Sequence, residues 1–462
     1  MTLQRAQYLI QIRLGMSSSS SMSNFIQELV RNGMRFAEKI AITSGVNTIT
    51  YASLLDEARR NNAGKTTCQV VISEKFGIAS QLLAAWNTGS VAVPIDPSLP
   101  KREIDYRMLQ LDGAESHLVP QDDALILFTS GTTGRAKGVI HTIGSVDAQI
   151  KALRVAWEWT EQDRLLLPLP LTHVHGLVTG LLSALSAGAS VELTESRFDP
   201  DATWKKLTSG KFTVFTAVPT VYGKLVNHFE KEMSVHQRAS ARTGVRKLRL
   251  MISGSAPLPE RLFNRWAEIT GQALLERYGT TETGIVLSNP LRGPRVPNLV
   301  GSPLGNVDIK IEGGELLVRG ATLFRGYLNS PDATLAALQD GWYHTGDQAM
   351  ITPDGIKLLG RSHDILKVGG YKVSALEVEN AVLSQFHYLI KECAVLGMPD
   401  VYYGELVTLA YVADDELFLS ECHAKLQTVL GAYQLPRKLV RLKELPRNAM
   451  GKVDKKLIAS QL

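Results

Sequence analysis

A ten-residue segment rich in glycine, threonine and cations follows directly on a short apolar run. The run, Leu125 to Phe128, predicts a β-strand, and the segment after it reads TSGTTGRAKG. Small residues let backbone N–H groups converge on an anion, hydroxyls add donors, and Arg135 and Lys137 add positive charge. This composition favours a nucleotide triphosphate as the ligand, and a flexible surface loop is the alternative. The candidate contacts are Thr129, Ser130, Gly131, Thr132, Thr133, Gly134, Arg135, Ala136 and Lys137.

This segment differs from two familiar nucleotide-binding loops. A Walker A loop starting at Gly131 would need glycine at position 136 and serine or threonine at 138, where the chain has Ala136 and Gly138. The GxGxxG pattern of dinucleotide-binding domains is also absent here. The segment therefore predicts phosphate binding of another kind.

Two histidines, His173 and His175, stand one residue apart in the string LPLTHVHGL. HxH spacing is found in metal sites, but no third histidine, cysteine or acid lies nearby in sequence. The three cysteines, Cys68, Cys393 and Cys422, are far apart and odd in number. A disulfide framework and a CxxC metal site are therefore excluded.

The residues above lie in a part of the chain where predicted strands alternate with predicted helices. Apolar, β-branched strings such as SVAVPID, FTVFTAVPT and LRLMISGSA are separated by helix-like strings such as IASQLLAAWNTG. This alternation predicts α/β layers around largely parallel sheets. Short strands and turns follow from about Gly301, and a smaller unit with its own alternation follows Arg361. We predict a large multi-layer N-terminal domain, residues 24–360, and a small C-terminal α+β domain, residues 361–462.

The overall composition excludes several classes of protein. The 462 residues are 44% hydrophobic and 21% charged, which is ordinary for a globular protein. The net charge of +5 is spread along the chain, whereas a nucleic-acid-binding protein needs a concentrated basic face. No apolar run reaches the ~18 residues of a membrane span. We expect small-molecule substrates, with neither nucleic acid nor a stable membrane span.

The N-terminus resembles a targeting segment. The first acidic residue is Glu28, whereas Arg5, Arg13 and a serine run from Ser17 to Ser21 precede it. Acid-poor starts with arginine and serine are typical of mitochondrial presequences. We predict that residues 1–23 are a presequence or a disordered tail, and that the protein is in the mitochondrial matrix, with the cytoplasm as the alternative.

Five strings, in order along the chain, resemble the signature motifs of the adenylate-forming superfamily, which contains acyl-CoA synthetases, luciferases and peptide-synthetase adenylation domains. They are LILFTSGTTGRAKGVIHT from Leu125, ERYGTTETG at 276–284, GWYHTGD at 341–347, GRSHDILKVGGYKVSALEVE at 360–379 and LPRNAMGK at 445–452. The resemblance covers roughly residues 125–462. It implies the adenylate-forming fold, with ATP between the two domains and a small domain that rotates between half-reactions.

The resemblance also implies a reaction in two halves. A carboxylate attacks the α-phosphate of ATP, giving an acyl-adenylate and pyrophosphate, and the thiol of CoA then displaces AMP. Cations must offset the repulsion between the two anions, a role that falls to Lys452. Glu282 would hold Mg²⁺, Thr281 would bind a phosphate, Asp347 would accept the ribose hydroxyls, and Arg361 would contact the ribose or a phosphate. Further implied contacts are Tyr278, Gly279 and Thr280 for ATP, and Gly369, Gly370 and Lys372 for CoA.

Arg277 suggests which acid is activated. An arginine beside an acyl pocket is unfavourable unless it meets an anion, and a dicarboxylate leaves one carboxylate for it to bind. The strings LPLTHVHG, AVPTVY, SGSAPLP and LERYGTTE resemble those of malonyl-CoA synthetases. This resemblance predicts that the substrate is malonate or methylmalonate. It also predicts that His173, His175 and Ser253 bind the substrate together with Arg277. A structural ion pair is the alternative role of Arg277.

The chain departs from its apparent family in three places. The string LDGAESHLV is followed almost directly by DDALILF, whereas relatives have another strand–helix unit between them. Thr172 stands where malonyl-CoA synthetases usually have a histidine, and His363 stands where an aspartate is common. These departures leave open a catalytically impaired nucleotide-binding homologue and a synthetase for another short or medium carboxylate. A carrier-loading adenylation domain is a third alternative, but no carrier segment is evident. Intact Lys452, Glu282 and Asp347 favour the active enzyme.

Overall fold

The structure is a computed structural model of the chain. It describes residues 24–61, 66–72, 75–114, 117–119, 122–129, 136–194, 198–305, 307–361, 364–447 and 453–462. Within these ranges the chain forms four β-sheets with helices packed against them. The predicted α/β class is confirmed.

The largest sheet has nine strands, and its six central strands are parallel. Most of their side chains are apolar on both faces because helices cover both faces. Antiparallel pairs close the two edges. In spatial order the strands are Ser302–Pro303, Gly284–Ser288, Leu275–Thr280, Leu250–Ser253, Val214–Ala217, Arg164–Leu167, Ser190–Leu193, Ile40–Ser44 and Asn47–Thr50.

A second sheet of five strands carries the glycine-rich segment. The antiparallel strands Asp123–Thr129 and Lys137–Thr142 flank it, with Thr129 opposite Lys137. Thr129 and Lys137 therefore end and begin two adjacent strands, on either side of the glycine-rich segment in sequence. The spatial order is Gly326–Tyr327, Lys137–Thr142, Asp123–Thr129, Val91–Pro94 and Cys68–Val71.

The third sheet is antiparallel throughout, so the expectation of mostly parallel sheets holds best for the nine-stranded sheet. Three of its four antiparallel pairs are joined by two-residue hairpin turns, whereas Glu315–Gly320 and Trp342–Thr352 pair across a longer connection. Its strands are Val307–Glu312, Glu315–Gly320, Leu338–Gln339, Trp342–Thr352 and Gly355–Arg361.

The C-terminal segment builds a fourth sheet with its own apolar core. Val373, Val378 and Phe386 are fully buried in that core. The strands are Ile365–Val368, Tyr371–Ser374, Ile390–Asp400, Gly404–Ala413 and Lys438–Arg441.

Helices connect and cover the sheets. An N-cap starts the helix Ile143–Ala156, because Thr142 Oγ1 accepts a hydrogen bond from the Ser145 N–H at 3.0 Å. None of the helices in the described ranges is long and apolar enough to cross a membrane. The α-helices are Asn24–Arg35, Tyr51–Arg60, Lys75–Asn87, Lys101–Leu111, Ile143–Ala156, Ser183–Ser186, Pro200–Thr208, Pro219–Lys231, Val235–Gly244, Glu260–Thr270, Pro331–Ala337, Ala375–Gln385, Leu419–Leu426 and Lys455–Ala459; His175–Leu182 is a π-helix and Val245–Lys247 a 3₁₀-helix.

Candidate active site

Arg277 lies at the carboxyl end of the central parallel strands, where ligands bind in open α/β sheets. It is the third residue of the strand Leu275–Thr280 and is 4% exposed. Its Nη2 atom donates a long hydrogen bond of 3.4 Å to Ser255 Oγ. A Cβ on Gly254 would come within 2.5 Å of Arg277 Cζ and Nε. Glycine at position 254 therefore makes room for the guanidinium.

No acidic side chain in the described part of the chain forms an ion pair with Arg277. Among the residues that the structure describes, no carboxylate oxygen lies within 4.0 Å of its nitrogens, and its Nε is buried without a hydrogen-bond partner. The neighbouring Glu276 points to the opposite face of the strand, and burial raises the pKa of its carboxyl, which favours the neutral form. Burial also lowers the pKa of Arg277, although a guanidinium stays charged at neutral pH. A buried cation without a counter-ion indicates an anionic ligand.

His175 shares the pocket with Arg277. It begins the buried π-helix His175–Leu182 and forms hydrogen bonds through both ring nitrogens. Nδ1 lies 2.9 Å from Ser255 Oγ, and Nε2 lies 2.9 Å from Thr216 Oγ1. Burial, and then the charges of Arg277 and His173, hold the pKa of His175 well below its ordinary value. The ring is therefore neutral, and Ser255 links it to the guanidinium.

Ser255, rather than the predicted Ser253, contacts Arg277. Ser253 ends the strand Leu250–Ser253 in register with Glu276, so its side chain lies on the face away from Arg277. Ser255 has a φ of +69°, a left-handed conformation that is uncommon outside glycine. Backbone strain of this kind is concentrated at functional sites. The string SGSAPLP contains both serines, and the pattern of residue types does not distinguish them.

The structure brings the other predicted histidine, His173, near His175. His173 is half-buried, and its carbonyl accepts the Leu177 N–H at 2.9 Å. Within the described ranges, no group of three histidine, cysteine or acidic residues is placed to hold a metal ion. His175 is thus linked to Arg277 through Ser255, whereas the place of His173 in the acyl pocket stays a prediction.

Thr281 and Glu282 lie in the turn between the antiparallel strands Leu275–Thr280 and Gly284–Ser288. The turn is tight, because a Cβ on Gly279 would come within 1.9 Å of the Gly284 carbonyl oxygen. The Thr280 N–H donates to Thr283 Oγ1 at 2.9 Å, which closes the turn on itself. The predicted ATP contacts Tyr278, Gly279 and Thr280 therefore lie in the strand that ends at this turn, close in sequence to Glu282, the predicted Mg²⁺ ligand.

The Glu282 carboxylate is half-buried and has one oxygen available to a ligand. Tyr327 donates its hydroxyl to Glu282 Oε1 at 2.9 Å, and Oε2 has no donor among the described residues. The Lys137 Nζ lies 4.8 Å from the centre of the Tyr327 ring, so a cation stands close by. One carboxylate together with substrate phosphates is a donor set that Mg²⁺ accepts.

Asp347 is buried and forms a hydrogen-bonded group with Arg361 and Tyr278. Arg361 Nε donates to Asp347 Oδ1 at 2.8 Å, and the Tyr278 hydroxyl donates to Oδ2 at 2.5 Å. Burial tends to lower the pKa of Arg361, but Asp347 and the acidic groups around it together outweigh burial and raise that pKa. A carboxylate has two acceptor oxygens, so the arrangement is compatible with acceptance of ribose hydroxyls.

Asp347→Asn should raise the KM for ATP because one acceptor oxygen and the negative charge are lost. Hydrogen bonds to charged groups contribute about 1.5–3 kcal/mol, so we expect an increase of about ten- to a hundredfold. The KM for the acid should change little. The control is Asp308→Asn, which removes an exposed ion pair with Arg319 on the same sheet. Equal effects of both variants on ATP would contradict the role of Asp347.

Several predicted residues lie outside the described residues. They are Ser130, Gly131, Thr132, Thr133, Gly134, Arg135, His363 and Lys452, together with residues 1–23. Described residues on both sides of Lys452 contact other parts of the C-terminal segment. Arg447 and Val453 form an antiparallel β-bridge, and Lys455 Nζ lies 2.8 Å from Glu379 Oε1.

The predicted CoA contacts occupy the turn of a hairpin in the C-terminal segment. Gly369 and Gly370 have φ values of +57° and +87° and join the strands Ile365–Val368 and Tyr371–Ser374. Positive φ at both positions of a two-residue turn favours glycine. Lys372 is exposed on the second strand.

Comparison with known proteins adds independent evidence. The chain matches the family "AMP-binding enzyme" over residues 109–328 and "AMP-binding enzyme C-terminal domain" over residues 377–452. It is 34% identical to the malonate–CoA ligase of Arabidopsis thaliana, covering 96% of this chain and 90% of that protein. It is 37% identical to the mitochondrial malonate–CoA ligase of Bos taurus, covering 82% and 78%. The Arabidopsis alignment spans 550 positions, so that relative has segments that this chain of 462 residues lacks.

Solved structures match as well. The ATP-bound MatB of Rhodopseudomonas palustris superposes with a TM-score of 0.83 at 27% identity, covering 95% of this chain and 99% of that one. A malonyl-CoA ligase in a ternary product complex with methylmalonyl-CoA and AMP matches with a TM-score of 0.64 at 32% identity, covering 89% and 97%.

Proposed function

The chain belongs to the AMP-binding enzyme family, and from that membership we propose that it ligates malonate to CoA. It is an acid–thiol ligase that uses ATP with Mg²⁺, takes CoA as co-substrate and releases AMP and pyrophosphate. In the first half-reaction a malonate oxygen forms a bond to the α-phosphorus and pyrophosphate leaves. In the second half-reaction the CoA sulfur forms a bond to the acyl carbon and AMP leaves.

The observation that carries the choice of acid is the buried, unneutralised guanidinium of Arg277. Malonate retains one carboxylate after the other is activated, and a guanidinium can bind it through two parallel hydrogen bonds. A monocarboxylic acid would leave Arg277 without a counter-ion in a buried pocket, which is unfavourable. The neutral ring of His175 adds no competing charge beside it. The malonate–CoA ligases among the relatives support the same choice.

The nucleotide would lie between the glycine-rich segment and the group formed by Glu282, Asp347 and Arg361. Asp347 binds the ribose, while Lys137 and Lys452 supply positive charge toward the phosphates. Mg²⁺ held by Glu282 supplies further charge neutralisation when it is bound. Lys452 also stabilises the charge that develops as the carboxylate attacks.

We propose that residues 361–462 change orientation relative to residues 24–360 between the half-reactions. The chain superposes better on the ATP-bound relative than on the product complex, with TM-scores of 0.83 and 0.64, although the latter is the more identical in sequence. This difference supports two arrangements of one fold. The Gly369–Gly370 turn would line the path of CoA in the second arrangement.

Gly370→Asn should slow thioester formation more than adenylate formation. Asparagine is one of the few side chains that adopt a positive φ, and no described atom lies within 4 Å of a Cβ at this position, so the change places bulk in open space. The two half-reactions are measured separately, by pyrophosphate exchange and by conversion of prepared malonyl-adenylate. A larger effect on adenylation would contradict the proposed change of arrangement.

The mitochondrial matrix is the proposed location. The acid-poor, serine-rich start of the chain supports it, as do the relatives from cattle, frog, mouse and human that are named mitochondrial.

AMP release by the purified protein with ATP, Mg²⁺ and CoA tests the function. The acids are malonate, methylmalonate, succinate, acetate, butyrate and palmitate, with reactions that lack CoA as controls. We expect kcat/KM to be highest for malonate. Preference for a monocarboxylic acid would contradict the choice of acid, and nucleotide binding without turnover of any acid would favour the impaired homologue.

A further inference from the structure

A buried histidine connects the strand after the glycine-rich segment to the turn that carries Glu282. His141 lies in the strand Lys137–Thr142 and is 4% exposed. Its Nε2 atom lies 2.7 Å from the carbonyl oxygen of Thr281. This contact joins two elements that bind the same phosphates in the proposed reaction.

The contact determines which ring nitrogen carries the proton. A carbonyl oxygen only accepts hydrogen bonds, so Nε2 of His141 must be the donor. Burial lowers the pKa of His141, which favours the neutral ring, so Nδ1 is an acceptor. Ser145 Oγ lies 3.1 Å from Nδ1 and 3.0 Å from the Thr142 carbonyl oxygen, and its single hydroxyl proton can be donated to either acceptor. The N-capped start of the helix Ile143–Ala156 therefore holds the ring in place.

Because the peptide unit is planar, the direction of the Thr281 carbonyl also sets the direction of the Glu282 N–H. The other restraints on this turn act at different atoms: the Phe324 N–H donates to the Glu282 carbonyl at 2.7 Å, and Tyr327 binds the Glu282 side chain. Among the described residues, His141 is thus the side chain that is hydrogen-bonded to the peptide between Thr281 and Glu282.

We propose that His141 is a positioning residue that orients Thr281 and Glu282 toward the phosphates of MgATP. It acts through the neutral Nε2–H donor and does not itself touch substrate. The inference rests on the proposed function, because Thr281 and Glu282 are assigned to ATP and Mg²⁺ there. Its consequence is that MgATP affinity depends on a donor at this position, whichever acid the protein activates.

The test compares His141→Leu with His141→Gln in the full chain. The glutamine amide can place an N–H donor at a reach similar to that of Nε2, whereas leucine fills space without a donor. MgATP binding is measured by calorimetric titration without acid or CoA, so the result does not depend on malonate turnover. We expect the Kd of the leucine variant to rise by about tenfold or more, since a buried carbonyl loses its partner. The glutamine variant should stay within about threefold of wild type, as its donor is retained.

Two further variants keep the inference falsifiable. His228→Leu replaces another buried histidine, which lies in the helix Pro219–Lys231 and contacts the side chain of Glu232 just after it. This variant should leave MgATP binding unchanged. Ser145→Ala keeps the His141 ring but removes its Nδ1 partner, and should weaken binding in the same direction by a smaller factor. Should the leucine and glutamine variants weaken MgATP binding equally, or should neither weaken it, the positioning role is overturned.

Discussion

Arg277→Met should lower kcat/KM for malonate by about thirtyfold to several thousandfold, while the KM for ATP stays near its wild-type value. Loss of one partner from a buried, hydrogen-bonded charge pair costs about 2–5 kcal/mol, much of it because the other charge stays buried and unpaired. Methionine keeps much of the arginine stem volume and deletes the charge. Acetate and butyrate should lose little, because the pocket becomes apolar. Steady-state kinetics with each acid measure the difference.

The same variant makes a distinguishing prediction about stability. Because Arg277 has no acidic partner within 4.0 Å among the described residues, removing its buried charge should leave the Tm of the unliganded protein unchanged or raise it. The matched control is Arg249→Met, which breaks a bidentate ion pair with the buried Asp163, with both distances 2.7 Å. That control should lower the Tm clearly. A lower Tm for Arg277→Met, with equal losses for all acids, would favour a structural role.

Lys452→Ala should reduce adenylate formation by at least about two to three orders of magnitude, the loss expected when a preorganised charge is removed from a transition state. Thioester formation from prepared malonyl-adenylate should remain near wild type, because the phosphate–carboxylate repulsion is absent from that half. Pyrophosphate exchange and thioester formation measure the two halves. The control is Lys456→Ala, an exposed lysine four residues away. Equal loss in both halves would indicate misfolding.

Residue types and spacing predict much of this molecule, because the chemistry is concentrated in short strings. The run before Thr129 predicted a strand, and the structure has the strand Asp123–Thr129 there. The acyl-pocket hypothesis named Arg277 and His175, and Ser255 links these two side chains in the structure. The AMP-binding family assignment is confirmed over most of the chain.

Other features depend on backbone conformation and on contacts between distant segments. Ser253 and Ser255 are both serines in one string, and only the strand register and the left-handed φ of Ser255 decide which reaches Arg277. His141 looks like an ordinary strand residue until the fold brings it to Thr281, 140 positions away. Long-range contacts of this kind have no periodic signal in the sequence, since periodicity reports only which face of an element is buried.

Competition between two acids tests the central claim most directly. The purified protein is given equal concentrations of malonate and acetate with limiting CoA, ATP and Mg²⁺, and the thioesters are separated by mass. Since the buried guanidinium of Arg277 needs an anion, malonyl-CoA should be the dominant product with wild-type protein. A product mixture dominated by acetyl-CoA would contradict the account, because a free carboxylate at the far end of the substrate would then confer no advantage.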